Sequence, residues 1–283
     1  MEKIKIGIVY DSTKREAKQA AEDVKEWLEK RNCQVFIGET NNKENRERIS
    51  NILEKLDFFI TVTGDGGVLF WANEIAKQTS RKLPLLRVNF GKRGALTNIE
   101  PRDIFSKLEQ VLSDNYITIG RTRIQAAIVS KKDRNQRILG DALNEVVIER
   151  RKAKTVYFEV AVYNGENKED FNRRGDNVIF ATPTGSTAYA ESAGGPTLIK
   201  KDRFILRVTA PTDREYLPYL ITSNNVIFEV VKIGGETALV IDGEEIIENL
   251  ELKEDESVII SKSPKNSYFM EVGDIEKKSF KRK

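Results

Sequence analysis

Residues 58–70 read Phe58-Phe-Ile-Thr-Val-Thr-Gly-Asp-Gly-Gly-Val-Leu-Phe70, an apolar stretch that runs into three glycines around one aspartate. Phe58 to Val62 predicts a buried strand, and apolar residues at helical spacing from Val68 to Gln78 predict a helix after the glycines. Strands that alternate with helices in this way build doubly wound parallel sheets. The stretch therefore indicates an α/β fold.

The same alternation continues on both sides of this stretch, over roughly the first 115 residues. Further strands are predicted at Ile4 to Tyr10, Cys33 to Ile37 and Leu85 to Val88, and further helices at Lys14 to Lys30, Arg46 to Leu56 and Ile104 to Leu112. We expect residues 1–115 to form an α/β domain with a doubly wound, largely parallel sheet. The C-terminal segment 265–283 could return to pack on it.

Residues 116–264 show a different pattern, in which strand signals follow one another with turns between them. This pattern predicts a β-rich, sandwich-like second domain. The segments Asn164 to Arg174 and Thr212 to Asn225 are polar or irregular, and we expect loops there. The predicted strands are Arg123 to Ser130, Ile138 to Arg150, Thr155 to Tyr163, Asn177 to Ala181, Arg203 to Thr209, Val226 to Val231, Ala238 to Ile241 and Ser257 to Ser261.

Composition excludes several classes of function. Lys and Arg number 47 against 44 Asp and Glu, so the formal net charge is only +3, and a nucleic-acid-binding field is not expected. The chain has no histidine and one cysteine, Cys33, which excludes Ser-His-Asp and Cys-His catalysis as well as His-ligated metals. We expect a cytoplasmic protein without membrane contact, whose general base is most naturally a carboxylate. The basic tail 277–283 is assigned no function.

Asp65 is the one charged residue among the glycines at the end of the predicted strand. Ligands of open α/β sheets bind beyond the carboxyl ends of strands, where glycine amides and a helix N-terminus can face a phosphate. Asp65 could deprotonate a hydroxyl there or help to hold Mg²⁺. A tight turn in which Asp65 caps the helix is an equally good interpretation of this motif alone.

A second glycine loop, Asn89-Phe-Gly-Lys-Arg-Gly94, follows the next strand and continues to Asn98. Lys92 and Arg93 could contact phosphate oxygens, and the two loops could face each other across a crevice. Taken alone, a plain loop is the favoured interpretation. The chain contains no Walker A motif, so the P-loop route to ATP is excluded.

The run Asp176 to Pro196 joins a short buried strand, Val178 to Ala181, to a turn crowded with hydroxyl groups and glycines. Such a run suits a polar ligand, although a structural turn is an open alternative. Three smaller features accompany it: the pair Asn144-Glu145 at a strand entrance, Arg174 beside Asp176, and Asp242-Gly243, which predicts a hairpin turn.

Taken together and in this order, these motifs resemble the NAD kinase family, which belongs to a larger group with diacylglycerol-type lipid kinases and phosphofructokinases. The family's Gly-Gly-Asp-Gly-Thr loop corresponds to residues 63–67, its Asn-x-Gly-x-x-Gly loop to residues 89–94, and its Asn-Glu pair to residues 144–145. The longest match is Ala181-Thr-Pro-Thr-Gly-Ser-Thr-Ala-Tyr189 with Ser192-Ala-Gly-Gly-Pro196, which is similar to the family's NAD-binding signature.

The resemblance implies an enzyme that transfers a phosphoryl group from ATP or polyphosphate to the 2′-hydroxyl of the adenosine ribose of NAD, giving NADP. Asp65 would be the general base, Mg²⁺ would screen the donor phosphates, and the β-rich domain would bind NAD. A homodimer or homotetramer of this chain is implied as well. The implied NAD-binding residues are Asp65, Gly66, Asn144, Glu145, Arg174, Asp176, Thr187, Ala188, Tyr189, Ala190, Glu191 and Ser192.

The sequence departs from the family pattern in three features: Thr63 and Gly67 replace the first Gly and the last Thr of the Gly-Asp-Gly loop, Glu244 replaces a Gln, and Pro218-Tyr219-Leu220 replaces Pro-His-Ser-Leu. Two alternatives stay open on the residues alone. One is a kinase of the same group that acts on a lipid or a sugar, although no amphipathic membrane-binding stretch is present. The other is a non-catalytic NAD-binding sensor.

Overall fold

The computed structural model describes residues 2–212 and 219–273, which divide into two compact units. Unit 1 contains residues 2–121 and 267–273, and unit 2 contains residues 122–212 and 219–266. Pro218 and the basic tail 277–283, both singled out in the sequence, lie outside the described residues. No helix in the described part of the chain is long and apolar enough to cross a membrane.

Unit 1 contains a parallel sheet with helices, as the alternating pattern predicted. Its strand order is β2-β1-β3-β4, and every one of these pairings is parallel. The elements are β1 (Lys5–Tyr10), α1 (Arg15–Glu29), β2 (Gln34–Glu39), α2 (Lys43–Ser50), β3 (Phe58–Thr63), α3 (Asp65–Gln78), β4 (Pro84–Asn89) and α4 (Ile104–Leu112).

The apolar residues of unit 1 explain this arrangement, because the strands and helices bury them against one another. All six residues of β3 are buried, as expected of a central parallel strand that is covered on both faces. Helix α1 is amphipathic and buries Ala17, Ala21, Val24 and Leu28 against the sheet. The last part of the long strand β16 (Glu256–Val272) also belongs here, because Tyr268 and Phe269 pair in parallel with Pro84 and Leu85 of β4.

Unit 2 consists of two antiparallel sheets, which confirms the β-rich prediction. One sheet contains β5, β6, β8, β9, β13 and most of β16, and the other has the order β12-β11-β10-β7-β14-β15. The strands are β5 (Tyr116–Ser130), β6 (Gln136–Ala142), β7 (Glu145–Arg150), β8 (Val156–Asn164), β9 (Asn167–Gly175), β10 (Asn177–Ala181), β11 (Arg203–Val208), β12 (Tyr219–Ser223), β13 (Ile227–Gly234), β14 (Thr237–Ile241) and β15 (Glu244–Ile247).

The apolar core of unit 2 draws side chains from both of its sheets. Phe180 of β10 and Phe228 of β13 are fully buried, and their ring centroids lie 5.2 Å apart. Val146 and Ile148 of β7 join the same cluster from the Phe180 sheet, and Val160 of β8 joins it from the other. Alternation along the strands turns these apolar side chains inward, and their packing against one another joins the two sheets.

The expectation that Asn164 to Arg174 is a loop was wrong, because this segment contains strand β9. Residues 167–175 pair with β8 in a continuous antiparallel register after a two-residue turn at Gly165-Glu166. Its sequence lacks apolar alternation because it is an edge strand, in which Phe171 is buried and the neighbouring charged side chains are exposed. Charged edges of this kind protect a sheet from pairing with other chains.

Two further boundaries differ from expectation. The segment Thr212 to Asn225 is partly a strand, because Tyr219–Ser223 pairs with β11 at the edge of its sheet. The single strand predicted for Ile138 to Arg150 is two strands, β6 and β7, which are separated at Leu143 and Asn144. The break places Asn144 just before β7, where its backbone groups are not used in strand pairing and can form other hydrogen bonds.

Candidate functional site

Asp65 lies where strand β3 ends, at the first residue of helix α3. We expected this helix to begin at Val68, but it begins at Asp65, so Gly66 and Gly67 form part of its first turn. The backbone N–H groups of Gly67 and Val68 both donate to the Gly64 carbonyl, which closes this turn. The Asp65 carboxylate therefore stands at the positive end of the helix dipole and at the carboxyl edge of the sheet.

Three consecutive backbone N–H groups from the second glycine loop donate to the Asp65 carboxylate. Leu96 and Thr97 donate to Oδ1 at 2.8 and 3.3 Å, and Ala95 donates to Oδ2 at 3.0 Å. An ionised carboxylate has about four acceptor positions. The loop thus fixes the orientation of Asp65 and leaves one acceptor position on Oδ2 for a ligand. Asp65 does not cap its own helix, which was the alternative interpretation of the motif.

The two glycine loops, which follow neighbouring strands, contact each other directly at Gly64 and Gly91. A Cβ atom added to Gly91 would lie 3.0 Å from the Gly64 Cα atom, a tight contact that would push the two backbones apart by a few tenths of an ångström. Lys14 lies beside them: its Nζ donates to the Phe90 carbonyl and is 3.6 Å from an Asp11 carboxylate oxygen. Lys92 and Arg93 are exposed at the tip of the second loop.

The departures at positions 63 and 67 are sterically coupled. A Cβ atom at Gly67 would lie 2.5 Å from Thr63 Oγ1 and 2.6 Å from Thr63 Cβ. The buried Thr63 side chain at the end of β3 therefore requires glycine at position 67, in the first turn of α3. Thr63 therefore supplies a hydroxyl near the place where the family pattern has one at position 67. A cavity of about 210 Å³ adjoins this turn and is lined by Asp11, Thr40, Asn41, Arg46, Thr63, Gly66, Gly67 and Phe70.

In unit 2, Asn144 and Glu145 are both held by Asp242. The backbone N–H groups of Leu143, Asn144 and Glu145 donate to the Asp242 carboxylate at 2.7, 2.8 and 3.1 Å. Asp242 lies with Gly243 in the predicted hairpin turn between β14 and β15, and both residues have positive φ. The sequence identified this turn from its Asp-Gly pair, but nothing in the pattern indicated what the carboxylate contacts. The exposed Glu244 follows at the start of β15.

Two side-chain oxygens of this pair are buried without a hydrogen-bond partner among the described residues: Asn144 Oδ1 and Glu145 Oε2. Burial and, secondarily, repulsion from Asp242 raise the pKa of the Glu145 carboxyl to about 8, while the backbone N–H of Tyr189 opposes this rise. Glu145 is therefore mostly protonated at neutral pH. A buried polar atom that lacks a partner is costly, so Asn144 Oδ1 is suited to a ligand that brings a hydroxyl or amino donor, and the protonated Glu145 carboxyl is suited to a ligand group that accepts or donates a hydrogen bond.

The hydroxyl-rich run after β10 is ordered mainly by its own hydrogen bonds. Thr182 Oγ1 donates to the Leu143 carbonyl and accepts from the N–H groups of Thr184 and Gly185. A Cβ at Gly185 would lie 2.1 Å from the Asn144 carbonyl oxygen, so this glycine lets the run pack directly on the Asn144 backbone. The structure thus brings the run and the Asn144-Glu145 pair together.

The other predicted binding residues of unit 2 differ in whether their side chains are exposed to solvent, buried or paired with another residue. Tyr189 accepts a 2.8 Å hydrogen bond on its hydroxyl from Asn177, and Thr187, Glu191 and Ser192 have exposed side chains. Ala190 is fully buried in a small core with Val147 and Ile179, so its side chain faces away from any ligand. Asp176 forms an ion pair with Arg150 at 2.9 Å, and the Arg174 guanidinium lies 5.6 Å from the Tyr157 ring. Within the described part of the chain, neither Arg174 nor Asp176 forms an ion pair with Glu145.

Comparisons with known proteins place these features in one family. Residues 6–116 match the ATP-NAD kinase N-terminal domain, and residues 143–272 match the ATP-NAD kinase C-terminal domain. An NAD kinase of Methanothermobacter thermautotrophicus is 32% identical over 278 residues, which cover 94% of this chain and 91% of that protein. A bifunctional NADP phosphatase/NAD kinase of Methanococcus maripaludis is 31% identical, and the chain spans only 46% of its length.

Solved structures agree with this assignment. The crystal structure of an NAD kinase from Archaeoglobus fulgidus in complex with ATP is 26% identical and superimposes with a TM-score of 0.70, covering 95% of this chain and 94% of that one. Yeast NADH kinase, solved with NADH, has a TM-score of 0.78 over 97% of this chain and 84% of that chain. At 17% identity, the yeast enzyme shows the likeness of fold alone.

The steric coupling of Thr63 and Gly67 predicts a non-additive pair of substitutions. Gly67→Thr should lower the free energy of unfolding by about 1–3 kcal/mol, because the new Cβ overlaps the Thr63 side chain. Thr63→Gly combined with Gly67→Thr should recover most of this loss. A double-mutant cycle by urea unfolding measures the coupling; strictly additive free energies would contradict it.

The raised pKa of Glu145 predicts a stability that falls as pH rises. The unfolded chain releases this proton near pH 4.5, the ordinary pKa of a glutamate, whereas the folded chain keeps it until about pH 8, so the folded state loses up to about 5 kcal/mol between these values. Glu145→Gln should flatten this part of the profile. Unfolding free energies of both proteins from pH 5 to pH 9 provide the measurement, and parallel profiles would refute the assignment.

Proposed function

The chain belongs to the NAD kinase family, and we propose that it transfers a phosphoryl group from ATP or polyphosphate to the 2′-hydroxyl of the adenosine ribose of NAD, which yields NADP. Matches to both domains of the family support this proposal, as does a relative named NAD kinase that aligns over almost its whole length. The observation that carries it is the Asp65 carboxylate, which is fixed by three N–H groups and has one acceptor position left.

Asp65 is the general base of the proposed reaction. Its Oδ2 atom accepts a single hydrogen bond within unit 1, from Ala95, so a substrate hydroxyl can donate to the remaining position. As the hydroxyl oxygen bonds to the terminal phosphorus of the donor, its proton passes to Oδ2 and the bond from phosphorus to the leaving oxygen breaks. A carboxylate that is already oriented loses no free energy to reorganisation during this step.

The donor phosphates lie, in this proposal, beside the first turn of α3. Gly66 has open space around its Cα, and Lys92 and Arg93 are exposed on the facing loop. ATP is the supported donor because the A. fulgidus relative was solved with ATP, and polyphosphate is the alternative that the family resemblance implies. When bound, Mg²⁺ would neutralise charge on the donor phosphates, and Asp11, which lines the cavity beside this turn, is a carboxylate of unit 1 that would suit it, because the free position of Asp65 Oδ2 is kept for the substrate hydroxyl.

NAD binding is assigned to unit 2. Asn144 Oδ1 can accept a hydrogen bond from a ribose hydroxyl or from the adenine amino group, and the protonated Glu145 can donate one as well as accept one. Tyr189 and the exposed side chains of Thr187, Glu191 and Ser192 complete the proposed contact surface, while Ala188 and Ala190 contribute backbone only. Arg174 and Asp176 form its charged edge. The family resemblance further implies a homodimer or homotetramer in the cytoplasm.

Production of NADP tests the reaction directly. The purified protein, supplied with Mg²⁺, NAD⁺ and either ATP or polyphosphate, should form NADP⁺, which a dehydrogenase specific for NADP⁺ detects. The same assay with NADH in place of NAD⁺ establishes the preferred redox form. Tight NAD binding without NADP⁺ from any donor would instead support the sensor alternative.

Asp65→Asn should lower kcat by at least about 100-fold, because an amide cannot take the hydroxyl proton. The matched control is Asp23→Asn, an identical change on the exposed face of α1, which should leave kcat unchanged. Near-normal turnover by the Asp65 variant, with NAD affinity and thermal stability intact, would rule out this residue as the base.

A further inference from the structure

Arg87 is a buried charge in the middle of strand β4, a position at which neither the motifs nor the family pattern indicated a function. Only 3% of this residue is exposed. Its Nη1 atom donates to the Leu96 carbonyl at 2.6 Å, and its Nη2 atom donates to the Met270 carbonyl and to Glu271 Oε1. The guanidinium also lies 4.2 Å from the centroid of the Phe269 ring.

Glu271, near the end of strand β16, binds Arg87 and also Asn98, which follows Leu96 in the loop after β4. Its Oε1 atom accepts from Arg87 at 2.8 Å, and its Oε2 atom accepts from the Asn98 side-chain amide at 2.9 Å. The Asn98 amide also donates to the Met270 carbonyl. Arg87 and Glu271 thus hold both Leu96 and Asn98, which lie at either side of Thr97.

The loop that is held in this way is the one that binds Asp65. The Leu96 carbonyl accepts from Arg87, and the Leu96 N–H donates to Asp65 Oδ1, so one residue connects the buried ion pair to the carboxylate. Leu96 and Thr97 are buried, whereas Ala95 and Asn98 on either side of them are exposed, so packing fixes only the middle of this segment. The N–H groups of Asn98 and Ile99 donate to the Arg87 backbone carbonyl and anchor the end of the segment, and the Arg87 side chain adds an anchor at Leu96, between two of the N–H groups that bind Asp65.

We propose that Arg87 and Glu271 are positioning residues for phosphoryl transfer, because their ion pair holds residues 95–98 in the conformation that fixes the Asp65 carboxylate. The inference rests on the proposed role of Asp65 as the base. It makes β16, the last strand among the described residues, a structural support of the reaction, although β16 contributes no side chain to the proposed base or to its hydrogen bonds.

Stability alone does not account for this pair. A buried ion pair loses hydration on both partners, and apolar side chains of similar volume often serve the folded state equally well. Burial lowers the pKa of Arg87 to about 10, with Glu271 opposing the shift, so the guanidinium stays charged at neutral pH. What an apolar pair lacks is the donor to the Leu96 carbonyl and the acceptor for Asn98.

The test separates positioning from stability through a pair of substitutions. Arg87→Met alone and Glu271→Met alone should each lower the melting temperature, because each leaves one buried charge without its partner. In the double variant, with both charges removed, the melting temperature should return towards the wild-type value. Its kcat should nevertheless remain about 10- to 100-fold below wild type, because residues 95–98 have lost the side-chain contacts that orient them.

Two milder variants keep the test informative if the Met variants fold poorly. Glu271→Gln retains an oxygen that can accept from Arg87, and Arg87→Lys retains the charge but offers one donor atom in place of two. Both should show a reduced kcat, less severe than that of the double Met variant, and an NAD dissociation constant within about twofold of wild type. The matched control is Glu109→Gln, which removes an exposed carboxylate bound by Arg31 in the same unit and should leave kcat unchanged.

The inference would be overturned if kcat recovered together with the melting temperature in the double Met variant, or if Glu271→Gln behaved like Glu109→Gln. Failure of the proposed function gives a different result. In that case the wild-type protein makes no NADP⁺, or Asp65→Asn keeps its activity, whatever the Arg87 variants do. Loss of activity in Asp65→Asn with normal kcat in the Arg87 and Glu271 variants would reject the positioning role alone.

Discussion

The hydrogen bonds between the Asp65 carboxylate and the N–H groups of residues 95–97 organise the site in unit 1. They join the end of β3 to the loop after β4, and the contact between Gly64 and Gly91 brings the two backbones close enough for them to form. Because α3 begins at Asp65 itself, the same carboxylate lies at the helix dipole. Glycine at positions 64 and 91 follows from this contact, since a Cβ atom at either position would push the two backbone segments apart.

Unit 2 uses the same type of interaction for a different purpose. There the carboxylate of Asp242 accepts the N–H groups of residues 143–145, again three in succession. In unit 1 the fixed carboxylate is the proposed reacting group, whereas in unit 2 it fixes the backbone that presents Asn144 and Glu145. Its negative charge, added to burial, keeps Glu145 largely protonated at neutral pH. The two units thus prepare the proposed base and a neutral hydrogen-bonding group.

Much of this arrangement could be predicted from the sequence, and the failures have physical causes. Periodicity identified the buried strands of unit 1 and the β-rich character of unit 2, because burial leaves a pattern in the sequence. It missed β9, whose charged edge has no such pattern, and it began α3 three residues late, because glycine is a poor helix former. The roles of Arg87, Asp242 and Glu271 depend on contacts between distant segments, which local spacing does not encode.

The central claim is that the N–H groups of Ala95, Leu96 and Thr97 hold the Asp65 carboxylate, and amide hydrogen exchange measured by NMR on the whole protein tests it most directly. In the wild-type protein these three amides should exchange slowly, and Asp65→Ala should accelerate all three. The amides of Leu143, Asn144 and Glu145, which donate to Asp242, serve as the internal control and should keep their rates. Equal exchange of residues 95–97 in the two proteins would contradict the account.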